Sequence, residues 1–184
     1  MVAVAVTAIL SLVAVPAMMS LVKNNRMTTT ANDLVRDTLI ARSEAVKRNA
    51  PVTICKSSDS TAANPTCNTT AAAWTIGWIV FVDSDSNGQR SGGEALIRVH
   101  APLSNAITLT DQGGFLAYNL LYTPAGRVRY YDGGNLLFFN KGTLRLCDDR
   151  GLGNAKTIVV NYAGRAYVPE TAVDHDGNAI GSCT

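Results

Sequence analysis

The segment Asp83-Ser84-Asp85-Ser86-Asn87-Gly88-Gln89, with Glu94 beyond it, carries the oxygen atoms that a hard cation would need. Asp83, Asp85 and Asn87 stand at alternate positions, Gly88 takes the sixth and Glu94 the twelfth, which is the spacing of a calcium loop. Calcium is thus the one cofactor to consider, and no other is expected. Strand-like sequence flanks the loop on both sides, however, and Arg90 fills the eighth position, which is usually apolar. The same residues also suit a polar hairpin connection, because Asp, Asn and Gly are turn formers. Asp174-His175-Asp176-Gly177-Asn178 poses the same choice in shorter form.

A second chemistry sits in Gly126-Arg127-Val128-Arg129-Tyr130-Tyr131 and in Gly164-Arg165-Ala166-Tyr167. On a strand, Arg127 and Arg129 point to one face, offering two guanidinium groups to phosphates beside rings on which a base can stack. With Arg165 they make DNA a candidate partner; the alternative is solvated arginines on strands. The formal net charge is +2. Residues 1–50 hold six bases against three acids, and the remainder ten against eleven. A nucleic-acid binder usually shows a basic bias across its body, so binding here would have to come from a local patch.

Cys55, Cys67, Cys147 and Cys183 have no two-residue spacing of the kind zinc sites use, and only two histidines are available to help them. Four cysteines at wide spacing read as two disulfides and an oxidising compartment, against the alternative of four buried thiols. Of three possible pairings we favour Cys55–Cys67, closing a Ser/Thr/Asn-rich loop, and Cys147–Cys183, pinning the C-terminal tail. No nucleophile elbow, paired-histidine zinc motif or phosphate loop occurs, so no catalytic residue is assigned. His100, in a strand pattern, is expected to be structural, and Trp74 and Trp78 to fill core or interface sites.

These groups need elements to hold them. The first 22 residues contain no charge, and Lys23 is the first ionisable side chain. At ~1.5 Å per residue such a helix reaches ~33 Å, enough for a hydrocarbon core of ~30 Å, with Pro16 as a tolerated kink. The run is too long, and lacks the leading base, for a secretory signal peptide. Ala31, Leu34, Thr38, Ala41 and Ala45 then form one apolar stripe, flanked by Val35, Leu39 and Val46. Charges cover the other face, with Glu44 placed to meet Lys47 and Arg48, and Asn49-Ala50-Pro51 ends the helix. Beyond it, ten short strands punctuated by Gly- and Asn-rich turns are expected: 51–56, 77–82, 94–100, 106–110, 120–122, 127–130, 135–139, 144–147, 157–161 and 166–168. The fold class is therefore α+β, a long N-terminal helix packed on an antiparallel β-sheet body. Three parts are expected: an apolar half-helix over 1–22, an amphipathic half-helix over 23–49, and a β-rich globular domain over 50–184.

This order of sequence words resembles the type IV pilin superfamily, and within it the FimT/GspH-type minor pilins and pseudopilins. The resemblance is carried by Met1–Pro16, Asn25-Arg26, Ala41-Arg42-Ser43-Glu44-Ala45, Lys47-Arg48-Asn49, Gly77-Trp78-Ile79-Val80-Phe81-Val82-Asp83, Leu96-Ile97-Arg98-Val99-His100 and Gly164-Arg165. The family's cleavage glycine and helix glutamate have no counterpart from Met1 onward, so no processing step attaches to a residue of this sequence. The resemblance implies a non-catalytic minor pilin that helps initiate or cap a type IV pilus and contributes to DNA uptake. Its partners would be other pilin or pseudopilin subunits, met through the N-terminal helix. Before assembly it would sit in the bacterial inner membrane as a single-pass protein with its globular domain in the periplasm. Some FimT-type relatives bind DNA through a Gly-Arg-x-Arg element; here Tyr167 stands where the second arginine would be. The alternatives are the H-type minor pseudopilin of a type II secretion system and, from another class, a membrane-anchored periplasmic DNA- or calcium-binding module.

Overall fold

The helix at the chain's start is continuous. In the computed structural model α1 spans Val2–Arg48 with Pro16 inside it. The structure describes residues 2–70, 73–91, 93–112, 116, 119–132 and 135–183, with side chains from Ala14 onward apart from that of Asp132. More than half of the apolar run 1–22, expected as a membrane span, therefore lies outside the described side chains. Among the described residues no helix is long and apolar enough to cross a membrane. At its other end α1 stops for a local reason. Asn49 adopts φ 51°, its N–H donates to the Val46 carbonyl at 3.3 Å, and the Ala50 N–H donates to the Ala45 carbonyl at 3.3 Å. Two orphan carbonyls are satisfied in this left-handed cap, and Pro51 follows.

Burial divides the helix. Val15, Met18, Met19, Leu21 and Val22 are exposed, whereas Met27, Ala31, Leu34, Ala41 and Ala45 are buried at helical spacing. Three of those five are alanine, so the helix axis can lie close to the sheets beneath it.

The body consists of ten strands: β1 Val52–Lys56, β2 Trp78–Val82, β3 Leu96–His100, β4 Ile107–Gln112, β5 Asn119–Tyr122, β6 Val128–Asp132, β7 Asn135–Phe138, β8 Gly142–Asp148, β9 Lys156–Val160 and β10 Ala166–Tyr167. One sheet has the order β3-β2-β1-β5-β6-β7 and the other β10-β9-β8-β4, with every named strand pair antiparallel. The register sets Ile54 opposite both Val80 and Leu120. These residues join Leu109, Leu144, Leu146 and Ile158 of the second sheet and the buried stripe of α1 in one core. The strand expected from Glu94 begins at Leu96, and those expected from Gly77 and Arg127 begin one residue later. Gly77, at φ 98°, caps a short 3-10 turn over Trp74–Ile76. Arg127 closes a turn, accepting from the Thr123 N–H at 2.8 Å.

The cysteines are joined as Cys55–Cys67 and Cys147–Cys183. Cys55, Ile79 and Phe81 form a small cluster apart from the main core, and Cys67 packs against it. The second bond ties the C-terminal tail to β8, where the Thr143 hydroxyl also lies 2.9 Å from His175 Nδ1.

Candidate functional site

The acidic loop joins β2 to β3, and Asp83, which follows β2, is fully buried. Its Oδ2 accepts from the Thr53 hydroxyl at 2.6 Å and the Gly88 N–H at 3.0 Å, and its Oδ1 from the Asn87 N–H at 3.1 Å. Burial pushes the Asp83 carboxyl up to about 6 and nearby Glu94 pushes the same way, against the pull of those donors. Glu94 closes the loop from its far end, taking the Ser84 N–H at 2.8 Å on Oε1 and the Ser91 N–H at 3.0 Å on Oε2. Asp85 accepts from the Asn87 side chain at 2.7 Å, and Asn87 Oδ1 accepts from the Gln89 N–H. Arg90, the residue out of pattern for a calcium loop, donates to the carbonyls of Pro65 and Glu94 and so staples the loop to the Cys55–Cys67 segment.

Asp83, Asp85 and Glu94 each bring an oxygen within 4.8 Å of the others, so they are the residues that could hold a metal ion. All three already use their carboxylates to satisfy donors within the loop or, for Asp83, on β1. Asn87, the fourth candidate, spends its side-chain oxygen on a backbone amide. This arrangement closes a hairpin connection without help. The Asp174 loop behaves alike: its Oδ1 accepts from the Asp176 and Asn178 N–H groups.

The three arginines come from the turn before β6, from β6 itself and from the turn before β10. Arg129 lies in β6 opposite Phe138, with its guanidinium carbon 4.6 Å from the centroid of that exposed ring. Arg127 is exposed in the turn before β6. Arg165 is exposed after Gly164, which packs on the Val128 side chain. Because side chains alternate along a strand, Val128 turns into the core and its two neighbours, Arg127 and Arg129, turn away from it. Arg42 of α1 joins the first group. Its Nε lies 3.3 Å from where a Cβ on Gly126 would stand, and its charge acts on the Tyr122 phenol, which donates to the Gly164 carbonyl at 3.0 Å. The turn before Arg127 thus lies beside Arg42 and the turn before Arg165 beside Tyr122, while the Arg129 guanidinium lies over Phe138.

A polar seam between α1 and the first sheet was not legible beforehand. Asp37, assigned by its charge to the helix's outer face, is fully buried. Its Oδ2 accepts from the Trp78 indole N–H at 2.9 Å and its Oδ1 from Arg98 Nε at 3.2 Å, with Arg36 Nε at 3.6 Å. His100 stacks on Trp78 at 3.7 Å between ring centroids, with Nε2 3.6 Å from Asp33. Trp74 reaches the core too, donating its indole N–H to the Leu116 carbonyl at 2.8 Å. The signal was positional: Asp37 lies three residues after Leu34 and four before Ala41, within the buried stripe.

Comparison with known proteins completes the picture. The family model of the type II transport protein GspH matches residues 30–164. A crystal structure of the Pseudomonas aeruginosa type IV minor pilin FimU aligns with 85% of this chain and 99% of its own, at TM-score 0.56 and 18% identity. A second crystal form of that pilin aligns with 82% and 98%, at TM-score 0.53 and 19% identity. No curated protein matches the chain. The likeness to FimU, at such identity, is one of fold: a long helix seated on an antiparallel body. The family model covers α1 from Thr30 onward and the strands through β9, and this protein belongs to the GspH family, that of the type II transport protein GspH.

Proposed function

We propose that this chain is a minor subunit of a type IV pilus that helps initiate or cap the filament. The observation that carries the reading is the division of α1. Its residues from Met27 onward are committed to the body, whereas Val15, Met18, Met19, Leu21 and Val22 present apolar surface that nothing among the described residues covers. Such a surface belongs in lipid or among the helices of sister subunits. The apolar half anchors the protein in the inner membrane before assembly and packs with other pilin helices afterwards, and no step requires catalysis. Two disulfides suit a body held in the oxidising periplasm. The H-type pseudopilin of a type II secretion system is the alternative within the family. Deletion of the gene, with surface piliation, transformation and protein secretion scored side by side, tests both. Loss of pili supports the pilus reading, loss of secretion with pili intact assigns the chain to the secretion system, and loss of neither refutes both.

A contribution to DNA uptake would rest on Arg127 and Arg165, the turn of the first lying beside Arg42 and that of the second beside Tyr122. Arg127→Ala with Arg165→Ala should lower the log–log salt slope of duplex binding by roughly 2 and weaken all sequences alike. Arg129→Ala should leave the slope unchanged, and the reverse pattern would move the patch to the Phe138 surface. The convergence of Asp83, Asp85 and Glu94 favours one further reading, a bound calcium ion. A rise in melting temperature with millimolar calcium, abolished by Asp85→Asn with Glu94→Gln, would support it.

A further inference from the structure

Where α1 leaves the body, an open groove of about 560 Å³ lies between Asn25, Arg26, Thr29 and Thr30 of the helix and Ser104 and Ile107 on the approach to β4. A smaller cavity of about 290 Å³ shares Val22 and Arg26 with it and extends to Met18 and Met19. The charges at this junction do not balance. Lys23 pairs with Asp149 at 2.7 Å, and Arg150 with Asp148 at 2.6 Å. Arg26 shares a cleft with both carboxylates yet has no ion pair or hydrogen bond of its own among the described residues. One positive charge is left over at the mouth of the groove.

We propose that this groove seats the phosphate headgroup of a membrane phospholipid, one acyl chain lying along Val22, Met18 and Met19. The inference rests on the membrane anchoring of α1 proposed above. Arg26 supplies a planar set of donors that fits a phosphodiester. The Asn25 amide and the Thr29 and Ser104 hydroxyls supply neutral donors for its remaining oxygens. A single carboxylate from a neighbouring subunit would match Arg26 but leave the neutral donors and the apolar extension without a role. The position in the chain agrees. Arg26 follows shortly after the 22-residue uncharged run, at the level where a basic side chain extends from apolar surface toward headgroups.

The test uses the full chain in nanodiscs of phosphatidylglycerol mixed with phosphatidylcholine, released for native mass spectrometry, and the same chain in vesicle flotation. The wild type should keep a phospholipid molecule bound after release. Arg26→Gln should still float with vesicles but retain lipid roughly tenfold less, as expected for loss of a charge-assisted contact. Lys47→Gln, at the far end of α1, should behave as wild type. Equal retention by wild type and Arg26→Gln overturns the proposal. So does a wild type that floats and retains no lipid, although anchoring then stands; a chain that does not float loses anchoring and proposal together. Inorganic phosphate that binds the lipid-free protein in detergent as tightly as the lipid does would reassign the groove to a free anion. An Arg26→Gln protein that keeps its lipid but loses self-association would reassign it to an acidic partner. Either result overturns the lipid assignment.

Discussion

Replacing Asp37 with alanine tests what fixes α1 on the sheet. The substitution strips the Trp78 indole N–H of its acceptor in a region where both residues are fully buried. A buried donor left unsatisfied costs about 1–3 kcal/mol. Arg98 and Arg36 also lose a partner, but their side chains are 39% and 53% exposed and regain water, so that loss is held to about 0.5 kcal/mol. The expected total is about 1.5–3.5 kcal/mol, which for a domain of this size lowers the melting temperature by roughly 3–14 °C. Asp37→Asn keeps an acceptor for the indole and should cost about 1 kcal/mol, mostly through lost charge assistance. Trp78→Phe removes the donor, so Asp37→Ala should cost less in that background than in the wild type. Urea titrations of the four proteins, followed by tryptophan fluorescence and near-ultraviolet circular dichroism, give the cycle directly. Equal costs for Asp37→Ala and Asp37→Asn, or additive costs with Trp78→Phe, would refute the claim that the indole–carboxylate bond pins the helix.

Asp83 gives a pH signature. Its folded pKa of about 6 exceeds the ordinary 3.8, so the folded state holds the proton more tightly, and this group's contribution falls as pH rises from about 4 to 6. The fall amounts to about 3 kcal/mol. Glu44, Asp59, Asp148 and Asp174, all held below the usual carboxylate range, act in the opposite sense. The difference between wild type and Asp83→Asn isolates the group, and a difference independent of pH would rule out the buried charge. Removing the Cys147–Cys183 bond as a double alanine variant opens a loop with a sequence separation of 36 and should cost about 4 kcal/mol on the chain-entropy model. Proteolysis of residues 169–183 should then precede global unfolding, and a tail that stays protected would show that Lys141–Asp176 and Thr143–His175 suffice to hold it. Gly164→Ala places a Cβ 2.9 Å from Tyr122 Cε1 at a residue with φ 74°, and should cost about 3 kcal/mol in thermal or urea unfolding. A loss under 1 kcal/mol would mean that the turn yields without disturbing Tyr122.

Features specified by neighbours in sequence were legible, and features specified across the fold were not. The stripe over Ala31, Leu34, Thr38, Ala41 and Ala45 has the helical period, and all five residues are buried. The strands appear where β-branched and aromatic runs meet Gly-rich turns, with ends displaced where a residue had another task. Glu94, for instance, caps the loop in front of β3 instead of extending it. Charge was a poor guide to exposure at Asp37, because its partners Trp78 and Arg98 lie 41 and 61 residues further along the chain. The same distance in sequence hid the approach of Arg42 to the turn before Arg127. It also hid Thr53, 30 residues before Asp83, which donates to an oxygen of the acidic loop.

The contacts along α1 differ in strength in a way that bears on assembly. Around Asp37 the helix is held by a buried hydrogen bond and by alanines packed directly on the sheets, contacts that water and salt do not screen. At residues 20–24 it is held by Lys23–Asp149, with side chains 33% and 62% exposed, and by Arg150 donating to Asn24 at 2.8 Å. Exposed pairs of this kind contribute about 0–1 kcal/mol and weaken with salt. The direction of α1 is therefore set from Met27 onward, while the point where it leaves the body is only lightly restrained. An apolar segment that must exchange one host for another needs that order of stabilities. A firm seam keeps the body's orientation through the exchange, and a weak clasp lets the exposed half adjust to the new neighbours without unfolding what lies behind it.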